Sequence, residues 1–589
     1  MTTILKQLTH IFEVAFEQAG YDRQYGRVSL SNRPDLCEYQ CNGAMAAAKV
    51  YKKAPFMIAN EVKAQLQDNP VFGFIDVVNP GFINIILSPE FLSNYVADMT
   101  ETNFMGVQME EHPKTIIVDY GGPNVAKPLH IGHLRSAIIG ESVKRILRFM
   151  GNTVYGDIHL GDWGYQMGLI ITELKVRKPE LPYFLETYDD TMKLNEAPFT
   201  ITELEEIYPC ASAKAKEDED YRKNALHATY LLQHGHKGYQ AIWKHIIQVS
   251  VEDLKKVYDS LDVEFDIWKG EADAQPYIPA MVEMLKEKQL AKLDEGALVV
   301  DVSMEDDKKD IPPCIILKSD GAALYGTTDL ATLVEREQLY HPSEVIYFTD
   351  KRQELHFTQV FRVAKLAGIV DKKANLQFIG FGTMNGKDGK PFKTRDGGVM
   401  RLENLISMIN EETLRKIQEN RTMSEQEAQE ISKIVGLAAL KYGDLSNQAA
   451  KDYIFDIDRF TSFEGNTGPY ILYTIVRIKS ILSRYEAEGG CIIDAVLHPA
   501  IGDGEKALML EVAKFADTMD MVYAEKAPHR ICAYIFDLAN VFNRFYHETK
   551  ILSETNVTRR ASYIALLKKT QTVLEICIEL LGFQAPDKM

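Results

Sequence analysis

The residues Thr115–Val118 form a short apolar run, and Asp119-Tyr-Gly-Gly-Pro-Asn-Val-Ala-Lys-Pro-Leu-His-Ile-Gly-His133 follows directly. A helical period then begins, with apolar residues at Leu134, Ile138, Ile139, Val143, Ile146 and Leu147. A buried strand, a glycine-rich turn and a long helix in that order point to an open parallel sheet, whose nucleotide sites lie at such turns because helix N-terminal N–H groups face the phosphates. Gly132 carries no side chain, so a base or ribose can approach the backbone. His130 and His133 can donate hydrogen bonds to a phosphate whose charge grows in a transition state. Lys127, just before the helix, can reach phosphate oxygens.

The pattern continues. Strands are expected at Thr115–Asp119, Thr153–Ile158, Cys314–Lys318, Glu344–Phe348 and Leu376–Phe381, with helical stretches between them. That alternation predicts a Rossmann-like parallel sheet with helices on both faces, occupying residues 108–460. Residues from about 177 to 270 read as a charged helical insertion, with helix at Thr202–Glu206 and Ala213–Val251. It is too short and too polar for a separate hydrolytic domain. Residues 1–107 read as a small α+β domain: an amphipathic helix at Ile4–Ala19 closed by Gly20, an Ala-rich helix at Asn42–Tyr51 and a strand at Gly81–Leu87. Residues 461–589 are expected to be all helix, at Tyr470–Tyr485, Glu505–Ala524, His529–Glu548 and Arg560–Leu581. The chain is therefore read as a multidomain α/β protein.

Composition narrows the partners. A net charge of −18 argues against nonspecific coating of nucleic acid, though not against local basic strips. No stretch has the roughly 18 uninterrupted apolar residues of a membrane span, and the N-terminus lacks a secretory layout. Of the seven cysteines only Cys37 and Cys41 lie close together, and no second pair follows at zinc spacing. Reduced thiols in a cytoplasmic protein are expected.

These residues also carry a resemblance. His130-Ile-Gly-His133 resembles the HIGH signature of class I aminoacyl-tRNA synthetases, and Pro123-Asn-x-Ala-Lys-Pro-x-His-x-Gly-His-Leu-Arg-Ser136 resembles the arginyl family. Five further segments resemble that family in the same order: Gly161-Asp-Trp-Gly-Tyr-Gln166, Lys318-Ser-Asp-Gly-Ala-Ala-Leu-Tyr-Gly-Thr-Thr-Asp329, Asp350-Lys-Arg-Gln-Glu-Leu-His-Phe357, Lys393-Thr-Arg-Asp-Gly397 and Glu464-Gly-Asn-Thr-Gly-Pro-Tyr470. The C-terminal Ala585-Pro-Asp-Lys-Met589 is similar to the family's ending.

The resemblance implies ligation of L-arginine to tRNA(Arg) through an arginyl-adenylate, with ATP and Mg²⁺, no zinc, no membrane partner and a monomeric chain. It assigns the phosphate chemistry to His130, His133 and Lys127, and to Lys393 and Arg395 of a loop. That loop departs from the family's KMSKS pattern as Phe392-Lys-Thr-Arg-Asp396, with Arg395 in place of the second lysine. It assigns the arginine α-amino and carboxylate groups to Asp119 and Asn124, and the guanidinium to Tyr325, Asp329 and Gln353. The ATP pocket falls to His130, Gly132, His133, His356, Phe357, Gly382 and Met384. Asp162, Trp163 and Gln166 are read as braces, and Gly122 stands where the family often has serine. The N-terminal domain resembles one that contacts the tRNA elbow, and the C-terminal helices resemble an anticodon-binding domain. In the latter, cations such as Arg477, Arg544 and Arg560 can meet phosphates or line a solvated face.

Overall fold

A computed structural model describes residues 1–390, 392, 400–420 and 423–589. The chain divides into two compact units, Glu111–Thr461 and a second made of Met1–Glu110 together with Ser462–Met589.

In Glu111–Thr461 a five-stranded sheet runs in the order Asn375–Phe381, Glu344–Asp350, Thr115–Asp119, Thr153–Leu160, Ile267–Gly270, with every neighbouring pair parallel. Ile116, Ile117 and Val118 are fully buried, as expected of a strand covered on both faces. The helix Ile131–Phe149 returns the chain from Thr115–Asp119 to Thr153–Leu160. From Thr115–Asp119 the order builds outward to Ile267–Gly270, then resumes on the other side with Glu344–Asp350. The switch point therefore lies between Thr115–Asp119 and Glu344–Asp350.

Two strand expectations need correcting. Cys314–Leu317 is not in the parallel sheet. It pairs antiparallel with Ala297–Val300, which pairs with Ala291–Asp294. The fifth parallel strand is Ile267–Gly270, which the sequence reading left inside the insertion. It is only four residues long and reads Ile-Trp-Lys-Gly, too short for a periodic signal. The helices before it are Tyr165–Arg177, Ile201–Glu217, Glu219–Gln233 and Lys237–Ser260.

In the second unit a four-stranded antiparallel sheet is ordered Val28–Leu30, Tyr39–Cys41, Phe82–Leu87, Phe72–Val78. The helix Ile4–Gln18 buries Ile4, Leu8, Phe12, Ala15 and Phe16 on one face. Ser88-Pro89 opens a helix, Pro89–Asp98, because the Ser88 hydroxyl accepts from the Phe91 N–H and proline is harmless at the first helical position. The C-terminal helices are Gly468–Ala487, Asp503–Ala513, Phe515–Glu525, Pro528–Glu548 and Val557–Leu580. The single helix expected over Glu505–Ala524 is two, meeting at Lys514.

Candidate active site

The turn after Thr115–Asp119 lies at the carboxyl ends of the strands, beside the switch point, where open α/β sheets take ligands. Its backbone is tightly held. Ala126 adopts φ +58°, a left-handed conformation that a non-glycine residue enters at some cost. The Ala126 N–H donates to the buried Ser250 hydroxyl at 2.9 Å. The Tyr258 hydroxyl donates to the Gly121 carbonyl at 2.5 Å, and the Gly121 N–H donates to Ser136 at 2.8 Å. Ser250 and Tyr258 both belong to the Lys237–Ser260 helix, so the insertion braces this turn. The Gln166 amide donates to the Val125 carbonyl at 2.8 Å. Val125 N–H also donates to the Gly161 carbonyl, and a Cβ at Gly161 would lie 2.0 Å from the Asn124 Oδ1.

The two histidines cap the helix. His130 Nδ1 accepts from the Gly132 N–H at 3.0 Å, and His133 Nδ1 accepts from the His130 N–H at 3.1 Å. Their rings lie 3.9 Å apart. An accepting Nδ1 carries no proton, so each neutral ring must hold its proton on Nε2. Burial, then the Lys127 charge, lowers the His130 pKa. Burial and the neighbouring His130 push His133 down to about 3. At neutral pH the pair therefore offers two uncharged Nε2–H donors.

Arg135 ties this helix to the far side of the sheet. It is buried, pairs with Asp444 at 3.1 Å, and donates to the carbonyls of Gly382 and Lys451 at 2.7 and 3.0 Å. Gly382 is backed so closely that a Cβ would lie 2.5 Å from the Lys451 carbonyl carbon. Met384 is buried and pairs in parallel with Tyr453. The Lys127 ammonium rests over the Tyr208 ring, 4.3 Å from its centroid. Lys393 and Arg395 lie outside the described residues.

A cavity of about 800 Å³ opens nearby, with Trp163, His234, Glu271, Gln275, Lys318 and Tyr325 among its walls. The helix Tyr325–Tyr340 starts at Tyr325, which is 75% exposed. Asp329 follows one turn later, so both share a face, and its Oδ2 meets His356 Nε2 at 2.5 Å. Glu271, which sequence reasoning missed, stands on the cavity wall directly after the Ile267–Gly270 strand. Burial, then the charges of Asp162 and Asp329, push it up to about 7. A Gly-Glu pair closing a strand was the only signal available, and it was hidden because that strand was not recognised. Trp163 packs edge-on to Trp243 at 5.6 Å, and the Trp243 N–H donates to the Asp162 carbonyl. Asp162 is buried, and burial pushes it up to about 6.

Three expected site residues are engaged elsewhere. Asp119 is paired with the buried Arg336 at 2.5 Å, and Arg336 also holds Asp157 at 2.6 Å. Phe357 is packed in the core. Its ring lies 4.6 Å from Tyr347 and 5.5 Å from Phe378, because it shares the inner face of Glu354–Ala367 with Val360 and Ala364. His356 is turned toward Asp329. Asn124 is exposed in the turn, and Gln353 is exposed after the Glu344–Asp350 strand.

Three family models match the chain: "tRNA synthetases class I (R), catalytic domain" over residues 97–457, "DALR anticodon binding domain" over 471–589 and "Arginyl tRNA synthetase N terminal domain" over 4–87. The chain is 61% identical to an arginine–tRNA ligase of Agathobacter rectalis and 56% identical to one of Alkaliphilus oremlandii, each over 100% of both chains. Among solved structures it is similar to arginyl-tRNA synthetase from Plasmodium falciparum (TM-score 0.82, 27% identity) and shares the fold of the Thermus thermophilus enzyme (TM-score 0.79, 20% identity), with full coverage of each chain.

Proposed function

Because the chain belongs to the arginyl-tRNA synthetase family of class I enzymes, we propose that it activates L-arginine with ATP and transfers it to tRNA(Arg) for protein synthesis. The observation that carries this reading is the pair of neutral Nε2–H donors, His130 and His133, at the start of the helix that follows the nucleotide turn. In the first step the arginine carboxylate attacks the α-phosphorus of ATP. A P–O bond forms, the bond to the bridging oxygen breaks, and pyrophosphate leaves with the electron pair. His130 and His133 donate to the α-phosphate oxygens as their charge grows, and being neutral they need no deprotonation to do so. Lys127 meets the polyphosphate, with Lys393 and Arg395 as its proposed companions. Gly132, Gly382 and Met384 offer backbone to the base and ribose.

The guanidinium is planar and permanently charged, so a carboxylate pair under an aromatic lid suits it. Glu271 and Asp329 supply the carboxylates and Tyr325 the lid, with Gln353 and Asn124 at the polar end of the substrate. Asp119 acts through Arg336 and the switch-point strands rather than by direct contact. In the second step the 2′-hydroxyl of the terminal adenosine attacks the adenylate carbonyl, the bond from that carbon to the phosphate oxygen breaks, and AMP leaves with the hydroxyl proton. Among the described residues no group of three or more His, Cys, Asp or Glu could hold a metal. Mg²⁺ belongs to the reading as part of the ATP substrate. Residues 1–107 and 461–589 are assigned to the tRNA elbow and anticodon, and 108–460 to the chemistry. No described helix is long and apolar enough to cross a membrane. The reading is of a cytoplasmic monomer.

Arginine-dependent ATP–pyrophosphate exchange, run with and without tRNA against the other nineteen amino acids, tests this. Exchange with arginine alone is expected. Absence of exchange with arginine under both conditions overturns the reading.

A further inference from the structure

The helix Ile201–Glu217 belongs to the insertion, yet one of its faces touches both segments that flank the nucleotide turn. Tyr208 lies under the Lys127 ammonium, 4.3 Å from ring centroid to Nζ. One turn earlier on the same face, Glu205 forms an ion pair with Arg401. Arg401 belongs to Met400–Leu402, which pairs with the first histidine's own backbone: Ile131 N–H donates to the Met400 carbonyl at 3.1 Å, and Leu402 N–H donates to the Leu129 carbonyl at 2.9 Å. His130 and Arg401 face each other in an antiparallel bridge. The Glu205 side chain is only 10% exposed and lies near Asp253 and Glu403 at a cavity of about 110 Å³. Arg401 thus balances the largely buried Glu205 carboxylate.

We infer that Glu205 and Tyr208 are positioning residues for the ATP chemistry: Tyr208 sets the ammonium of Lys127, and Glu205, through Arg401, sets the backbone of the His130 cap. The inference rests on the phosphate role given above to Lys127 and His130. A four-carbon lysine stem has several rotamers, and a ring beneath its ammonium selects among them at little entropic cost to the ring. The carboxylate does the same for the short Met400–Leu402 segment that bridges to the His130 backbone. Neither residue is required to touch substrate. Their effects should therefore appear in the turnover of adenylate formation rather than in arginine binding.

The test is ATP–pyrophosphate exchange by the full-length enzyme with tRNA present, using Tyr208→Ala, Tyr208→Phe, Lys127→Ala and the double variant. Tyr208→Ala should lower kcat about tenfold, the order of a partly desolvated cation–π contact, with the arginine KM within about twofold. Tyr208→Phe, which keeps the ring, should restore turnover. In the Lys127→Ala background, Tyr208→Ala should add nothing. Glu205→Gln and Arg401→Met should likewise lower kcat, and together should cost no more than either alone. Additive losses in the Tyr208 and Lys127 pair, with Lys127→Ala itself impaired, overturn the positioning role. A fully active Lys127→Ala instead removes Lys127 from the chemistry, and the inference for Tyr208 falls with it. A loss in Tyr208→Phe equal to that in Tyr208→Ala assigns the effect to the hydroxyl and also refutes the ring's role.

Discussion

Glu271 is held at about 7 by its burial and by Asp162 and Asp329, so in the free cavity it is half protonated near neutrality. A guanidinium bound beside it favours the carboxylate and lowers that pKa, so binding releases a proton. Arginine affinity should therefore be full above about pH 7 and fall as the pH drops through it. Calorimetric titration in buffers of different ionisation enthalpy checks this. Glu271→Gln should flatten the pH profile and weaken binding, and an unchanged profile would take Glu271 out of the site. Asp329→Ala should raise the arginine KM by more than about tenfold, because it removes a charged partner. Steady-state kinetics decide that, with Asp329→Asn as the control that keeps the hydrogen bond to His356. The placement of Tyr325 and Asp329 on one helix face, and of the two histidines at a helix start, was legible because each sits in a dense motif. The core packing of Phe357 was not legible, since a residue beside a motif histidine can face either way and only the helix's packing decides.

At the scale of the element, the insertion emerges as scaffolding for the nucleotide turn. Ser250→Ala would leave the buried Ala126 N–H without its acceptor, a cost of about 1–3 kcal/mol, and would free a strained residue next to Lys127. Exchange kinetics should show a lower kcat with little change in the arginine KM, and urea unfolding should show the stability loss. A second prediction concerns acid. Glu173 is buried where the helix before the insertion meets two insertion helices, and it accepts from Tyr221 at 2.6 Å and from Lys214 and Arg177 at 2.9 Å. Burial raises its pKa, but these partners outweigh that and bring it down to about 2. A carboxylate depressed in the folded state contributes stability above its ordinary value and loses it as pH falls through the depressed one. The helices Tyr165–Arg177, Ile201–Glu217 and Glu219–Gln233 should loosen between about pH 4.5 and pH 2, which amide exchange by helix can detect. Glu173→Gln should abolish that step.

At the scale of the molecule, the first 110 residues and the last 128 behave as one compact unit although the chain separates them. Lys506 binds Glu38 at 2.6 Å and the Leu87 carbonyl at 3.1 Å, and Lys569 donates to the carbonyl of Ala97 at 3.1 Å. Both partners of the Lys506–Glu38 pair are mostly shielded from water. Lys506→Met should lower the stability of this unit by roughly 1–2 kcal/mol, read as a downward shift of its transition in differential scanning calorimetry. A shift confined to Glu111–Thr461 would contradict it.

What the sequence determined by itself is local and periodic. The strand Thr115–Asp119, the helix after His133 and the closing of the first helix by Gly20 all follow from residues adjacent in the chain, whose burial period or backbone preference needs no distant partner. Only the tertiary structure decided that Ile267–Gly270 completes the parallel sheet while Cys314–Leu317 turns away into another, because a four-residue strand gains its identity from the neighbour it pairs with. The same holds for Asp119 under Arg336, for Glu271 on the cavity wall and for Tyr208 beneath Lys127. In each case the physical state of a side chain is set by a charge or ring far away in sequence, and no spacing along the chain encodes that approach.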